Sequence, residues 1–244
     1  YAGTLNHSGF QLWRSRCEGE APYEWERVME QGAWRGPLNQ GVLSLYPFKG
    51  SLYIGTGIQG GGIDRENKIG PAGAELIRLN EDMSWDLIVG QPRDTPDGYK
   101  NPLSGRYPGF DNFFNGYFWR MCEHEGWLYM GTFEWSTVLG YIKRSKFPPT
   151  FASVLAHVTP QAILENQSGF DLYRSYDGEN WVPVTTNGMG NPYNMGLRTL
   201  QSTPYGMFIG TANPWGPKIM PLGGDRYVTN PRGGCEVFHG RFWE

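Results

Sequence analysis

The stretch "LYIGT" (Leu52–Thr56) decides the fold, because the chain repeats it. Related phrases stand at "YAGT" (1–4), "LYMGT" (128–132) and "MFIGT" (207–211). Apolar and aromatic residues that end in a glycine favour a short strand followed by a loop. Such self-similar strands along one chain predict a repeat architecture.

A second phrase follows each Gly-Thr phrase at a variable distance. Its copies share a polar third position and an aliphatic fourth position: "GFQLWRS" (9–15), "GAELIRL" (73–79), "GFDLYRS" (169–175) and "GCEVFHG" (234–240). A tryptophan comes after each copy, at Trp25, Trp85, Trp181 and Trp243. An asparagine precedes three of the Gly-Thr phrases at one constant spacing, at Asn39, Asn115 and Asn194.

These phrases assign four short strands, a to d, to each unit. Strand a begins near the asparagine, strand b carries Gly-Thr, strand c carries the second phrase and strand d holds the tryptophan. Repeated four-stranded units are the signature of a β-propeller, in which neighbouring blades cover each other's faces. We therefore expect an all-β propeller with units at approximately 1–38, 39–114, 115–193 and 194–244. Its first and last units are incomplete, so further chain segments or a second chain would complete the ring.

The segment "RSYDGENW" (174–181) resembles the Asp-box, Ser-x-Asp-x-Gly-x-x-Trp, of sialidase-like (BNR-type) β-propeller repeat proteins, and in particular an uncharacterised secreted bacterial branch. Ser175, Asp177 and Trp181 fit its residue types, whereas Gly178 follows Asp177 directly and leaves the box one residue short. The resemblance implies that Asp177 accepts backbone N–H bonds in the c–d turn and that Trp181 packs between blades. It also implies an extracytoplasmic protein, secreted or at the cell surface.

The composition argues against several classes of protein. The formal net charge of −3 and the pI near 5.9 disfavour nucleic-acid binding, which needs a basic surface. No apolar run is long enough to predict a membrane span. Cys17, Cys122 and Cys235 form no Cys-x-x-Cys pair, which disfavours zinc and leaves either one disulfide with a free thiol or three buried thiols. The glycine run "GIQGGG" (57–62) is no phosphate loop, because neither a helix nor Gly-Lys-Ser/Thr follows it.

The long loops are all predicted on one face. In an up-and-down blade the a–b and c–d loops share one face, and the b–c and d–a loops share the other. Every large insertion falls in the second group: 55–73, 90–114, 133–168, 185–193 and 212–233. Because binding residues concentrate on loops held by a rigid scaffold, this long-loop face is the expected functional face. Within it, 150–167 has helix-compatible apolar spacing that Pro160 interrupts or restarts.

Candidate ligand-binding residues follow from this placement. The asparagines Asn39, Asn115 and Asn194 begin the innermost strands, where their amides either line the mouth of a central channel or close the d–a turn by a local backbone bond. Departures from the repeat add Trp119 and Arg198, which replace a leucine, and Arg120, which replaces a serine or threonine. The long loops add Arg106, Trp135 and Trp215.

Candidate catalytic residues are acidic. A glycoside hydrolase needs two carboxylates about 5 to 9 Å apart on either side of the scissile bond. The long-loop face offers Asp94, Asp97, Asp111 and Glu134, with Asp64 and Glu66 beside them. Calcium could use Asp94, Asp97 and Asp111 with backbone carbonyls, although "DTPDG" lacks the Asp-x-Asp-x-Asp-Gly pattern. No other cofactor or metal is expected.

Three functions fit these patterns. The leading hypothesis is an extracytoplasmic binding or scaffold propeller that recognises a glycan or another cell-surface polymer with its long-loop face. The first alternative is a carbohydrate-active enzyme, a hydrolase or lyase, that uses carboxylates on that face. The second alternative is a structural subunit of a larger assembly, with the insertions as contact surfaces. Paired accessible carboxylates would favour the enzyme, and an aromatic surface without them would favour binding.

Overall fold

The computed structural model describes residues 1–141, 157–220 and 225–241, so that Trp243 and the predicted helical residues 150–156 lie outside the described residues. The structure is mostly β-sheet with few helices, which confirms the all-β class. The strands are β1 (Ala2–Gly3), β2 (Leu12–Arg14), β3 (Glu26–Met29), β4 (Gly41–Phe48), β5 (Ser51–Gly57), β6 (Leu76–Leu79), β7 (Trp85–Val89), β8 (Arg93–Thr95), β9 (Gly98–Lys100), β10 (Asn115–His124), β11 (Trp127–Glu134), β12 (Leu172–Ser175), β13 (Val182–Thr185), β14 (Gly196–Thr203), β15 (Gly206–Ala212), β16 (Lys218–Ile219), β17 (Val228–Thr229) and β18 (Val237–Gly240).

The helical segments are few and short. Four consecutive residues with positive φ form a left-handed turn at Gln31–Trp34. In the part of the chain that the structure describes, 3-10 turns span Gly36–Leu38, Ser136–Tyr141 and Gly188–Gly190. An α-helix spans Pro160–Asn166, with Thr159 as its N-cap, so Pro160 starts this helix. None of the described helices is long and apolar enough to cross a membrane.

Each predicted unit is an antiparallel meander. The first runs β1-β2-β3, the second β4-β5-β6-β7, the third β10-β11-β12-β13 and the fourth β14-β15-β18. Neighbouring meanders meet at single residue pairs: Leu5 with Gly41, Gly57 with Tyr117, and Phe133 with Gly196. Each pair joins the exit of a strand b to the start of the next strand a.

The glycine of the Gly-Thr phrase is required by the next unit. A Cβ added to this glycine would overlap the strand a that follows it, at an equivalent residue each time: Gly3 against Val42, Gly55 against Phe118, and Gly131 against Leu197. Only glycine leaves room for the next strand a and its side chain to approach so closely. The phrase that reveals the repeat therefore also allows the units to pack side by side.

In the second, third and fourth units a threonine, an asparagine and an acidic residue form a clamp. In the second unit, Glu75 N donates to Thr56 Oγ1 at 2.9 Å, and Asn39 Nδ2 donates to Glu75 Oε2 at 2.7 Å. Asn39 O accepts from Phe10 N of the preceding unit at 2.8 Å. The same bonds recur in the third unit among Asn115, Thr132 and Asp171, with Ala74 N as the donor from the preceding unit. They recur in the fourth unit among Asn194, Thr211 and Glu236, with Phe170 N as that donor. The clamp thus ties each unit to the one before it.

The c–d turn of the third unit is held by Asp177. Its Oδ1 accepts from the backbone N–H groups of Glu179 and Asn180 at 2.9 and 2.8 Å, and from the Ser175 hydroxyl at 3.0 Å. Trp181 packs with Phe110 and residues of the second and third units in one buried cluster. Asp177 thus holds the turn through backbone hydrogen bonds, and Trp181 fills the contact between the second and third units.

The three cysteines match neither predicted alternative. All are free thiols, so the disulfide prediction is wrong. Cys122 is buried, whereas Cys17 and Cys235 are exposed, so the prediction of three buried thiols is wrong as well. The reason is position: Cys122 lies on the inner strand β10, and the other two lie in loops.

Candidate functional site

The inner strands β4, β10 and β14 each have a β-bulge at the same position of the repeat. Register shifts in strands β4, β10 and β14 leave Leu43, Trp119 and Arg198 outside the regular pairing. A bulge turns a side chain away from the strand's regular alternation, and bulges are frequent beside functional sites. The residue at this position is a leucine in the second unit, a tryptophan in the third and an arginine in the fourth. We call the group formed there by Tyr117, Trp119, Arg120, Phe133 and Arg198 the inner-strand cluster.

Three aromatic rings form the apolar part of this cluster. The Tyr117 and Phe133 ring centroids are 5.0 Å apart, and Trp119 meets Phe133 edge-on at 5.5 Å. All three rings are half-buried, so each keeps an exposed part. Burial raises the pKa of the Tyr117 hydroxyl, which stays protonated. Such rings offer apolar faces with one polar tip.

Two arginines form the charged part. The guanidinium carbon of Arg198 lies 4.9 Å from the centre of the Trp119 ring. Arg120 Nε donates to Arg198 O at 3.0 Å, and Arg120 Nη1 donates to Trp119 O at 3.1 Å. Among the described residues no carboxylate forms an ion pair with either arginine. Burial and the charge of Arg198 lower the pKa of Arg120. The cluster therefore carries unneutralised positive charge.

The glycine run 60–62 closes one side of the cluster. Gly60, Gly61 and Gly62 all have left-handed φ values, and Gly61 N donates to the Tyr117 hydroxyl at 2.5 Å. A Cβ on Gly61 would lie 3.1 Å from the Phe133 ring. The run lets the loop backbone lie directly against the aromatic rings.

The three asparagines are placed inside the protein. Asn39, Asn115 and Asn194 are each 0% exposed. Each Nδ2 donates both to the acidic residue of its clamp and to a glycine carbonyl of the d–a turn, which is Gly32, Gly109 or Gly188. Of the two roles considered for them, closing the turn is the one that the structure contains.

The candidate acids do not converge on one cleft. Asp94 is exposed on the β8–β9 hairpin, and Asp97 on the same hairpin accepts from Trp85 Nε1 at 3.0 Å. Asp111 pairs with Arg106 at 3.1 Å within one loop. Glu134 is 0% exposed, and its oxygens accept from Ser136 N and Gly169 N at 2.9 and 3.2 Å. Burial raises the pKa of Glu134 well above its usual value. No metal-binding group of three His, Cys, Asp or Glu side chains occurs in the described residues.

The remaining candidates pack within the loops. Trp135 is 3% exposed in a small core with Leu139 and Ile163 of the 133–168 insertion. Trp215 stacks at 4.5 Å on Tyr141 and meets Tyr193 at 5.9 Å. Arg106 is occupied by its ion pair with Asp111. The structure thus brings together Trp119, Arg120 and Arg198 but not Arg106, Trp135 or Trp215.

A second polar site borders the glycine loop at Gln59 and Gly60. A cavity of about 500 Å³ is lined by Gln59, Ile63, Glu66 and others, and includes His7 and Asp64. His7 Nδ1 lies 2.9 Å from Asp64 Oδ2, which also accepts from Gln40 and Asn67. Hydrogen bonds from the Asn67 backbone N–H, from the Asn67 side chain and from Gln40 lower the pKa of Asp64. Asn67 Nδ2 also lies 3.1 Å from His7 Nδ1.

Sequence reasoning missed Tyr117, Phe133 and the His7–Asp64 pair. Tyr117 stands where the other inner strands have Gly41 and Gly196, and Phe133 stands where β5 has Gly57. The rule that selected Trp119, departure from the repeat, would have selected both. His7 and Asp64 are far apart in sequence and have no repeat counterpart, so no sequence signal joins them.

Comparison with known proteins gives no further assignment. No protein-family model matches the chain, and neither a curated protein nor a solved structure does. Fold family and function are therefore argued from the residues of this chain.

Proposed function

We propose that the chain is a β-propeller segment that binds an acidic glycan outside the cytoplasm through its inner-strand cluster. The observation that carries the proposal is the pairing of Arg120 and Arg198 with three partly exposed rings, while no carboxylate in the described part of the chain forms an ion pair with either arginine. Aromatic faces suit the C–H faces of sugars, and arginine suits planar carboxylate or sulfate groups. The extracytoplasmic location is taken from the Asp-box resemblance.

The propeller arrangement is supported by three features of the repeat. The meanders have one strand order, they meet at equivalent strand ends, and their Gly-Thr glycines face equivalent residues of the next unit. In a propeller these contacts lie between the inner strands of adjacent blades. The inner-strand cluster would then lie at the central channel, near the long-loop end of strands β10 and β14.

Binding is favoured over catalysis by the state of the acids. Asp94 is exposed and Glu134 is fully buried. Asp97 accepts a hydrogen bond from Trp85, and Asp111 forms an ion pair with Arg106. A glycosidase needs two carboxylates that both reach one bond. The aromatic and cationic cluster needs no such pair to bind a sugar acid.

The test is binding of polygalacturonate, chondroitin sulfate and neutral xylan to the chain. We expect both acidic polymers to bind, xylan to bind weakly or not at all, and added salt to weaken binding. R198A should weaken binding by about 10- to 100-fold, the value of one charged hydrogen bond. R174A is the matched control, because Arg174 also covers a tryptophan, Trp127, at 4.6 Å but on outer strand β12. Absence of binding to every acidic polymer tried, or equal losses in R198A and R174A, would reject the proposal.

A further inference from the structure

The clamp of the third unit has two buried oxygens without partners. Asn115 Oδ1 and Asp171 Oδ1 accept no hydrogen bond, although Asn115 is 0% and Asp171 1% exposed. The equivalent oxygen of Asn39 accepts from the Thr56 hydroxyl at 3.0 Å and from Arg35 at 3.1 Å. A buried acceptor without a donor is unfavourable, so its occurrence in one unit of a repeat calls for a specific donor there.

Among the described residues, the third unit also lacks the cations that accompany the clamp of the second unit. Glu75 of the second unit accepts two hydrogen bonds from Arg93, both at 2.9 Å, and lies 3.3 Å from Arg35. Among the described residues no arginine or lysine forms an ion pair with Asp171. The third unit adds a second buried carboxyl group, Glu134, which interacts electrostatically with Asp171. Two buried carboxylates without a cation carry a large desolvation cost.

The residues at the Glu134 position of the other units show which hydrogen-bond donor the third unit lacks. Two residues after the Gly-Thr threonine, the second unit has Ile58, the third Glu134 and the fourth Asn213. Asn213 Nδ2 donates to Asn194 Oδ1 at 3.1 Å, which satisfies the oxygen equivalent to the orphan of Asn115. A carboxyl group can replace that amide donor only when it carries a proton. The two orphan oxygens, being acceptors, cannot satisfy each other without a hydrogen between them.

We infer that the third unit folds with a proton on its buried Glu134–Asp171 carboxyl pair, and that the bound proton donates to one of the two orphan oxygens. The electrostatics agree with this assignment. Burial raises the pKa of Asp171 to about 6, and burial together with the Asp171 charge raises the pKa of Glu134. Among the described residues, the other titratable group in contact with Asp171 is Tyr173, whose hydroxyl lies 3.5 Å from Asp171 Oδ2 and whose own pKa is raised by burial. Arg106 and Asp111 act on Tyr173 from the adjoining loop with opposite signs.

The proton regulates the strand that carries the inner-strand cluster. Glu134 follows Phe133 directly and anchors both ends of the 133–168 insertion through Ser136 N and Gly169 N. Its backbone N–H also donates to Met195 O of the fourth unit at 2.6 Å. Loss of the proton places a second negative charge beneath the cluster, so the unit becomes less stable as pH rises. The consequence for ligand affinity rests on the proposed function, whereas the consequence for stability does not.

The test is the unfolding temperature of the ligand-free chain between pH 5 and pH 8. Both folded pKa values lie above their unfolded values, so this stabilisation is complete below about pH 4 and is lost as pH rises through 6 and beyond. We expect the wild-type midpoint to fall by at least roughly 3–6 °C across the range. D171N and E134Q should flatten this fall, because an amide N–H replaces the proton permanently. E236Q, in the clamp of the fourth unit, should keep the wild-type slope.

Two outcomes would overturn the inference. One is a wild-type midpoint that is constant from pH 5 to pH 8, and the other is an undiminished fall in both D171N and E134Q. Should a variant fail to fold, infrared spectroscopy of the wild-type chain at pH 5 decides, because a buried protonated carboxyl has its own C=O band that shifts in D₂O. Absence of that band rejects the inference. None of these readouts needs a glycan, so failure of the proposed function is separately detectable.

Discussion

Replacing Glu75 by glutamine tests whether the clamp of the second unit depends on charge. Glu75 is 0% exposed and faces Arg35 and Arg93, whose side chains are 6% and 11% exposed. In E75Q both guanidinium groups stay buried but lose their counter-charge. Breaking a buried ion pair from one side costs about 3–5 kcal/mol. The glutamine side chain keeps one oxygen that accepts hydrogen bonds, so we expect the free energy of unfolding to fall by about 3 kcal/mol. This corresponds to a fall in melting temperature of roughly 6–12 °C for a chain of this size.

E236Q is the matched control for this prediction. Glu236 occupies the same clamp position but accepts from the neutral amides of Asn191 and Asn194, at 2.9 and 2.6 Å. Its replacement should cost about 1 kcal/mol, the value of an ordinary hydrogen bond. Thermal unfolding at pH 7 measures both variants. If the melting temperatures of E75Q and E236Q agree within about 2 °C, the two buried arginines do not need the charge of Glu75, and the reasoning is refuted.

Three further predictions concern the repeat. G178A should lose more than about 2 kcal/mol in chemical denaturation, because Gly178 has φ +83° and a Cβ there would overlap the Tyr53 hydroxyl; an unchanged midpoint would contradict the packing described. T56V should lose about 1–3 kcal/mol of unfolding free energy in the same assay. The reason is that the Thr56 hydroxyl accepts from the backbone N–H of Glu75 and donates to Asn39 Oδ1. A T56V variant as stable as the wild-type chain would count against the clamp. Below about pH 4 the chain should lose stability, because hydrogen bonds hold the pKa values of Asp64 and Asp177 below their unfolded values; a D64N/D177N double variant should lose less between pH 5 and pH 3 than the wild-type chain does.

The strand framework could be predicted because the repeat compares the chain with itself. Strands a, b and c appear where the phrases place them, and the strands β10 and β11 begin and end within a few residues of the phrases at 115 and 128–132. The first tryptophan shows the limit of this comparison. Trp25 is 48% exposed, whereas Trp85 and Trp181 are 3% and 5% exposed. The longer c–d turn of the first unit moves Trp25 outside strand β3, and sequence spacing alone could not show this.

The candidate site could be predicted only in part, because burial depends on partners from other units. Asn39 and its equivalents look like polar residues at a strand entry, and only the structure shows that a glutamate or aspartate from the same unit and a backbone N–H from the preceding unit enclose them. Glu134 looks like a loop carboxylate, yet the far end of a long insertion covers it through Gly169. Departure from the repeat, in contrast, selected Trp119 and Arg198, and the structure places these two side chains in contact, because equivalent bulges place them at equivalent points.

Alternation along strand β11 connects the clamp to the inner-strand cluster. Phe133 and Glu134 are consecutive strand residues, so their side chains point to opposite faces. Phe133 completes the aromatic part of the cluster on one face, while Glu134 shares the buried clamp with Asp171 on the other. The second unit has Gly57 and Ile58 at these positions, with neither a ring nor a charge. Since both substitutions lie on one strand, a change of charge at Glu134 that shifts β11 must shift Phe133 as well. The third unit is therefore the place where the stability of the repeat and the geometry of the proposed binding site cannot vary independently.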